Sequence, residues 1–327
     1  MKVCIVGAGS IGATIGAKLS AAGGHVSLIA RGTHLEAIRR HGLQLVDRAG
    51  TASGTFRLEA SAEPSDFGPQ ELVVIALKAH SLAAMLPRLS PLLGPRTAVL
   101  TAINGLPWWY FYRSGGPYEG RRLRSLDPDG VLEAALDCAC VIGGVVHLAA
   151  EVLQPGQVQH TAGRRLIIGE PDGSDSERVR AIRAALTAAG FDCETSRQIR
   201  RDIWSKLIGN LSFNPVAALT GYRMDQICSD AEVLDVIRAV LGEGIEVAAR
   251  LGVRIGMTPD QRIDVARQLG AARISMLQDL EQRRPLELAA IVGVVIELAE
   301  LTGVSVPSTR TLHALVQARV RALGIPT

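Results

Sequence analysis

Three polar side chains recur every four residues between Arg201 and Pro215 and are the first candidates for chemistry. Lys206, Asn210 and Asn214 share one face of a predicted helix, while apolar residues fill another face. A face that presents a cation and two amides is suited to contact a polar ligand, although an ordinary solvated helix face is the alternative. Because the residue before a proline disfavours the α conformation, we expect the helix to end or kink at Asn214.

A glycine-rich turn near the N-terminus lies in a strand, turn, helix and strand unit. KVCIV is predicted as a buried strand, GAGSIG follows it, and a small-residue helix leads to the second strand, HVSLIA. In this motif the first glycine permits a tight turn, the second admits the pyrophosphate and the third allows close helix packing. The start of the helix offers N–H groups to the phosphates. The residues predicted to bind a dinucleotide here are Gly7, Gly9, Ser10, Ile11 and Gly12.

The end of the second strand selects the cofactor. An acidic residue there would bond the ribose 2′-hydroxyl, whereas a basic residue accommodates a 2′-phosphate. The sequence is LIARG, which puts Arg31 at this place, and a guanidinium group suits the geometry of phosphate. We therefore predict NADP(H), with an ordinary strand-end cation as the alternative for Arg31.

Two later buried strands end in polar residues. ELVVIALK ends in Lys78 and TAVLTAING ends in Asn104. Ligands of open α/β sheets bind beyond the carboxyl ends of the strands, so both residues are candidates for the ligand site. The alternative is that they satisfy backbone groups in turns.

Length and pattern predict two domains. Residues 1–198 read as an α/β domain with a mostly parallel sheet, and residues 199–327 read as all-helical. Helical periodicity is predicted over 199–214, 230–251, 259–280 and 285–302. Pro285 should begin the last of these helices, so that Glu287 lies in its first turn, where capping alone could explain a carboxylate.

Composition excludes several classes of protein. The net charge of +3 comes from 35 basic and 32 acidic residues that are interspersed, so no nucleic-acid surface is expected. The five cysteines have no metal-ligand spacing, and we predict reduced structural thiols and no metal site. The N-terminus has only four apolar residues between Lys2 and Gly7, too few for a signal-peptide core, and no apolar run has the length of a membrane span, which predicts a cytoplasmic protein without a membrane partner.

An aromatic segment interrupts the first domain. Residues 107–130 hold six of the chain's twelve aromatic residues together with glycine and arginine. A long segment without clear periodicity is usually functional. Lining of a substrate pocket and contact between subunits are the two hypotheses.

These features together resemble the 2-dehydropantoate 2-reductase (ketopantoate reductase) family, along nearly the whole chain. The matching motifs are GAGSIG, the arginine after the second strand, LKAH, ING, WSKLIGNLSFNP, and SMLQD with the later arginine and glutamate. The resemblance implies a Rossmann domain, a helical domain like that of 6-phosphogluconate dehydrogenase, and NADPH-dependent reduction of a 2-keto acid. The named reaction is that of ketopantoate to pantoate, in pantothenate biosynthesis.

The resemblance also implies roles for single residues. Lys206 would be the general acid, Asn104 and Asn210 would bind substrate or orient the lysine, and Ser275 and Glu287 would close the pocket. The resemblance also makes Glu287 a second catalytic residue and Asn214 a further contact of the substrate. It adds Lys78, Asn104 and Glu287 to the residues expected to bind the cofactor. Family members are often dimers, and the apolar C-terminal helices would carry the subunit contacts.

Several pocket positions differ from the family pattern and leave the substrate open. Polar residues that are usual in ketopantoate-reducing members are replaced here by Ala272, Met224, Leu286 and Ala289. One alternative is a related dehydrogenase for a larger or aromatic 2-keto or 3-hydroxy acid. Another alternative is a sensor that binds NADP(H) without turnover, in which Lys206→Ala would leave function intact.

Overall fold

The computed structural model describes residues 1–326, which divide into two compact units. The first unit consists of Met1–Ile103, Trp109–Arg122 and Gly130–Ile199. The second unit consists of the chain from Arg200 onward together with Asn104–Trp108 and Leu123–Asp129. Two short segments from the first half of the sequence therefore belong to the helical unit, and one of them begins with Asn104.

Ten strands of the described residues form one sheet in the first unit, in the order β4-β3-β9-β8-β7-β6-β1-β2-β5, with β10 beside β9. The antiparallel pairs are β3 with β4 and β8 with β9, and the other neighbours are parallel. The strands are β1 Lys2–Val6, β2 His25–Ile29, β3 Leu43–Val46, β4 Ala52–Phe56, β5 Glu59–Ser61, β6 Leu72–Ile75, β7 Ala98–Thr101, β8 Val141–Gln154, β9 Gln157–Gly169 and β10 Asp192–Thr195.

Helices pack against the sheet. Because its central strands are therefore buried, they consist of continuous apolar runs. Every residue of β6 and β7 is buried. Helix α1 packs closely on the sheet because Gly16 has no side chain, and a Cβ there would lie 2.9 Å from Leu28 Cδ2. The helices of this unit are α1 Ser10–Ala21, α2 Gly32–His41, α3 Leu82–Met85, α4 Val131–Ala135 and α5 Glu177–Ala188.

The aromatic segment contributes to the core of the first unit. Trp109, Tyr110 and Phe111 are buried, and Trp109 Nε1 donates a hydrogen bond to Thr101 Oγ1 at 3.2 Å. The Trp109 ring also covers Gly143 on β8, where a Cβ would lie 2.8 Å from the ring. Packing against the sheet therefore explains Trp109.

The second unit is helical, and two helix predictions within it were wrong. The predicted helix over 259–280 is two helices, because the first ends at Arg267 and the chain then turns, with Gly270 at φ +57°, before the second begins at Ser275. The predicted helix over 285–302 begins later, at about Leu288, with a π-helical segment. The elements are α6 Ile199–Thr220, α7 Met224–Ser229, α8 Ala231–Arg250, α9 Pro259–Arg267, α10 Ser275–Glu281, the π-helical segment Ala289–Gly293, α11 Val294–Thr302 and α12 Pro307–Ala322.

Helix α6 does not end before Pro215, as the sequence predicted, but continues for five residues beyond it. A proline inside a helix loses one backbone hydrogen bond and costs about 3 kcal/mol in an exposed helix. Here Phe213, Val216 and Ala217 are buried on both sides of the proline, so tertiary packing offsets this cost. Asn214 consequently lies inside a helix, 4% exposed, and not at a helix terminus.

The described residues contain no helix with both the length and the apolar character needed to cross a membrane. All five cysteines are free thiols. Burial raises the pKa of Cys4 to about 11 and that of Cys193 to about 12. Thiols with such pKa values stay protonated at neutral pH and are poor nucleophiles.

Candidate active site

The glycine-rich loop joins β1 to α1 in the first unit. Gly7 has φ +102°, and its N–H and that of Ala8 both donate to Ile29 O at 3.1 Å, at the end of β2. A Cβ at Gly12 would lie 2.0 Å from Gly7 O, so only glycine fits there. The loop therefore has the tight turn and the close helix approach that the sequence predicted.

The same loop fits the pyrophosphate of a dinucleotide. A Cβ built on Gly9 would lie more than 4 Å from every neighbour among the described residues, so a ligand can approach the backbone. Gly9 is the N-cap residue of α1 and has no side chain with which to cap it. The N–H groups of Ser10, Ile11 and Gly12 in the first helical turn are thus available to a phosphate.

Two basic residues of the first unit follow the carboxyl ends of parallel strands. Arg31 is exposed and is the N-cap residue of α2, two residues after β2. Lys78 lies three residues after β6, which ends at Ile75 and not at Lys78 as the sequence predicted. Arg31 is thus at the strand end that selects between 2′-hydroxyl and 2′-phosphate.

Three polar side chains of the second unit form a hydrogen-bonded chain. Lys206 Nζ donates a hydrogen bond to Asn104 Oδ1 at 2.8 Å, and Asn104 Nδ2 donates to Glu287 Oε2 at 3.2 Å. An ammonium can only donate and a carboxylate can only accept, so this arrangement fixes the orientation of the Asn104 amide. The structure brings together residues that are 102 and 183 positions apart in the sequence.

Burial and charge act in opposite directions on Lys206. Burial lowers the pKa of the ammonium, the negative charge of Glu287 raises it, and the resulting pKa is about 8. A lysine with this pKa is charged at neutral pH but can release its proton readily. A charged ammonium with such a pKa can stabilise, and then protonate, an oxygen atom that develops negative charge.

Glu287 precedes the helix in which the sequence placed it. Its main-chain oxygen accepts the first helical hydrogen bond, from Ile291 N at 3.1 Å. Its carboxylate accepts from the side chain of Asn104, so helix capping alone does not explain the residue.

The other predicted substrate contacts occupy different environments. Asn210 is partly buried on α6, one turn after Lys206. Asn214 is buried one turn further along the helix. Ser275 is exposed at the first residue of α10.

The backbone that holds Asn104 was missed by sequence reasoning. Leu106 N–H donates to Ala290 O at 3.0 Å, and Gly105 has φ +80°. The Asn-Gly dipeptide after a strand was the available signal, since it favours turns with positive φ. Glu297 holds the other early segment of the helical unit, Leu123–Asp129, because its carboxylate accepts hydrogen bonds from the N–H groups of Arg124 and Ser125, both at 2.8 Å.

Comparison with known proteins gives consistent matches over both units. Residues 3–108 match the family "Ketopantoate reductase PanE/ApbA", and residues 198–320 match "Ketopantoate reductase PanE/ApbA C terminal". A 2-dehydropantoate 2-reductase of Mesorhizobium japonicum is 43% identical over 318 residues, which is 97% of each chain.

Solved structures agree with these matches. A structure from Ralstonia solanacearum MolK2, described as a ketopantoate reductase, has a TM-score of 0.94 and 40% identity and covers 99% of each chain. The 2-dehydropantoate 2-reductase of Geobacter metallireducens GS-15 has a TM-score of 0.85 and 28% identity, covering 97% of this chain and 99% of that one.

Proposed function

The chain belongs to the ketopantoate reductase family and is a pyridine-nucleotide-dependent oxidoreductase, and from this premise we propose that it reduces ketopantoate to pantoate with NADPH. The observation that carries the proposal is the hydrogen-bonded chain of Lys206, Asn104 and Glu287 in the second unit. Buried lysines with lowered pKa are typical of acid–base catalysis.

Lys206 acts as the general acid. When bound, the reduced nicotinamide supplies the hydride that reaches the ketone carbon. Lys206 Nζ stabilises the negative charge that then develops on the ketone oxygen and transfers one proton to it, which gives the alcohol. The neutral amine regains its proton from solvent. Asn104 holds the amine in place, and Glu287 favours its return to the charged form.

The glycine loop and Arg31 hold the dinucleotide. Ser10, Ile11 and Gly12 supply N–H groups to the pyrophosphate, as in other loops at helix N-termini. Arg31 supplies the guanidinium for the 2′-phosphate, and Lys78 supplies a second cation after β6, which is separated from β2 by β1. Asn210 and Ser275 are the proposed contacts of the substrate.

Turnover across a substrate panel tests this function. Ketopantoate with NADPH should give stoichiometric loss of NADPH and formation of pantoate, whereas bulkier and aromatic 2-keto acids should react more slowly. Turnover of other keto acids with none of ketopantoate would refute the proposed substrate. NADPH binding without turnover of any of them would favour a sensor.

Arg31→Ala tests the choice of cofactor. Loss of a charge-assisted contact to the 2′-phosphate should raise the KM for NADPH roughly tenfold or more and leave the KM for NADH within about twofold. Arg40→Ala is the matched control, because Arg40 is an exposed arginine on α2, the helix that Arg31 precedes. An equal increase in KM for NADPH and for NADH would show that Arg31 does not bind the 2′-phosphate.

The proposed assembly is a homodimer formed through the helical unit. Large apolar side chains are exposed on or next to α8, α9 and α12, namely Val236, Val265, Leu269 and Leu315. An interface that buried these side chains would gain the free energy of removing apolar surface from water. Light scattering of the purified protein should give twice the mass of the chain, and a monomer at micromolar concentration would contradict this.

A further inference from the structure

A backbone contact fixes the segment that carries Asn104. Gly105 lies against Ala290, so that a Cβ at position 105 would be 2.1 Å from Ala290 O and 2.9 Å from Ala290 Cβ. The next residue, Leu106, donates its N–H to the same oxygen at 3.0 Å. The turn is therefore held by two successive residues against one peptide group.

The peptide group that receives this contact belongs to the π-helical segment that follows Glu287. Ala290 is 1% exposed and is the second residue of that segment. Segments of π-helix inside α-helices often occur at functional sites. The contact thus joins the backbone beside Asn104 to the backbone beside Glu287, while the side chains of these two residues are hydrogen-bonded at 3.2 Å.

We infer that Gly105 is a positioning residue, whose close contact with Ala290 sets the place of the Asn104 amide between Lys206 and Glu287. The inference deepens the proposed function and rests on it for the role of Lys206. Side chains need to be held within fractions of an ångström for efficient catalysis, and displacements of about 1 Å can cost 10²-fold in rate. Backbone contact is a more rigid support than a flexible side chain.

Gly105→Ala should disturb this arrangement. The new Cβ must move away from Ala290, and it also disfavours the positive φ of the turn. Asn104 would then lose its place beside Lys206, and the charged ammonium would lose an accepting oxygen. Loss of a hydrogen bond to the charged form should lower the pKa of Lys206 further. We expect kcat at pH 7 to fall roughly tenfold or more, with the Kd for NADPH within about twofold.

Gly252→Ala is the matched control for backbone strain. Gly252 lies in the same unit with φ +78°, against +80° for Gly105, but a Cβ there meets nothing within 4 Å among the described residues. It therefore introduces the same disfavoured conformation without the collision. Its kcat and its Lys206 pKa should match those of the wild type.

NMR titration of lysine labelled with ¹³C at Cε measures the positioning directly and does not depend on turnover. The chain has four lysines, Lys2, Lys18, Lys78 and Lys206, so the signal of Lys206 can be assigned by its loss in Lys206→Arg. The signal should titrate near pH 8 in the wild type and about half a pH unit or more lower in Gly105→Ala. Ala290→Val crowds the same contact from the side of the π-helical segment and should lower the pKa of Lys206 as well.

The outcomes separate the two proposals. The positioning role would be overturned if the pKa of Lys206 in Gly105→Ala and in Ala290→Val equalled its pKa in the wild type and in Gly252→Ala. A wild-type protein that fails to reduce ketopantoate would overturn the proposed function, and the NMR titration would still decide whether Gly105 positions Asn104.

Discussion

Lys206→Ala is expected to lower kcat for ketopantoate reduction by a factor on the order of 10² or more, since the general acid is lost. The ammonium both stabilises the developing alkoxide and delivers its proton, and no neighbour in the hydrogen-bonded chain can replace it. Asn104 has no acidic proton at neutral pH, and the Glu287 carboxylate accepts a hydrogen bond from it. The Kd for NADPH should stay within about twofold.

Two further observations separate acid catalysis from mere positive charge. Lys206→Arg keeps a cation that does not release its proton near neutral pH, so it should be impaired almost as severely as Lys206→Ala. Small primary ammonium ions added to Lys206→Ala should restore part of the rate. Stopped-flow traces of NADPH oxidation provide kcat, and quenching of tryptophan fluorescence provides the Kd. A kcat in Lys206→Ala within threefold of the wild type would contradict the assignment.

Glu287→Gln is expected to move the pH dependence of the reaction to lower pH. The negative charge of Glu287 raises the pKa of Lys206, so its removal leaves the lowering by burial unopposed and brings the pKa below about 8. The reaction needs the protonated lysine, and kcat/KM therefore declines at a lower pH in the variant. At pH 8 we expect kcat/KM of the variant to be roughly tenfold lower than that of the wild type. Glutamine can still accept a hydrogen bond from Asn104, which keeps the geometry.

Glu300→Gln is the control for this change in charge. Glu300 is an exposed residue of α11 whose carboxylate pairs with Arg310 at the surface, and its replacement changes the net charge of the chain by the same amount. Its profile of kcat/KM against pH should match that of the wild type. Identical profiles for Glu287→Gln and the wild type would show that Glu287 does not set the lysine pKa.

The geometry of the glycine loop could be predicted closely because its determinants are local. The glycine loop, the strand before it and the helix after it are consecutive in the sequence. The structure gives steric reasons for Gly7, which has a positive φ, and for Gly12, which lies against Gly7. The mostly parallel sheet followed from apolar runs that alternate with helical periodicity. These features need no knowledge of distant contacts.

The hydrogen-bonded chain of the second unit could be predicted only in part. The periodicity of α6 identified Lys206, but local patterns do not reveal that Asn104, 102 residues earlier, belongs to the helical unit. The rule for residues before proline failed at Asn214 because burial of the surrounding side chains outweighs local preference. The predicted position of Glu287 was wrong by part of a helical turn, since the helix starts after Pro285 and not with it.

The dependence of kcat/KM on pH, measured for the wild type with ketopantoate and NADPH, tests the central claim most directly. This parameter reports the ionisation of the free enzyme, where burial and Glu287 give Lys206 a pKa of about 8. Our account predicts a constant value below that pH and a tenfold decline per pH unit above it, with the midpoint equal to the NMR titration of Lys206. A value that stays constant up to about pH 10 would contradict the role of Lys206 as the general acid.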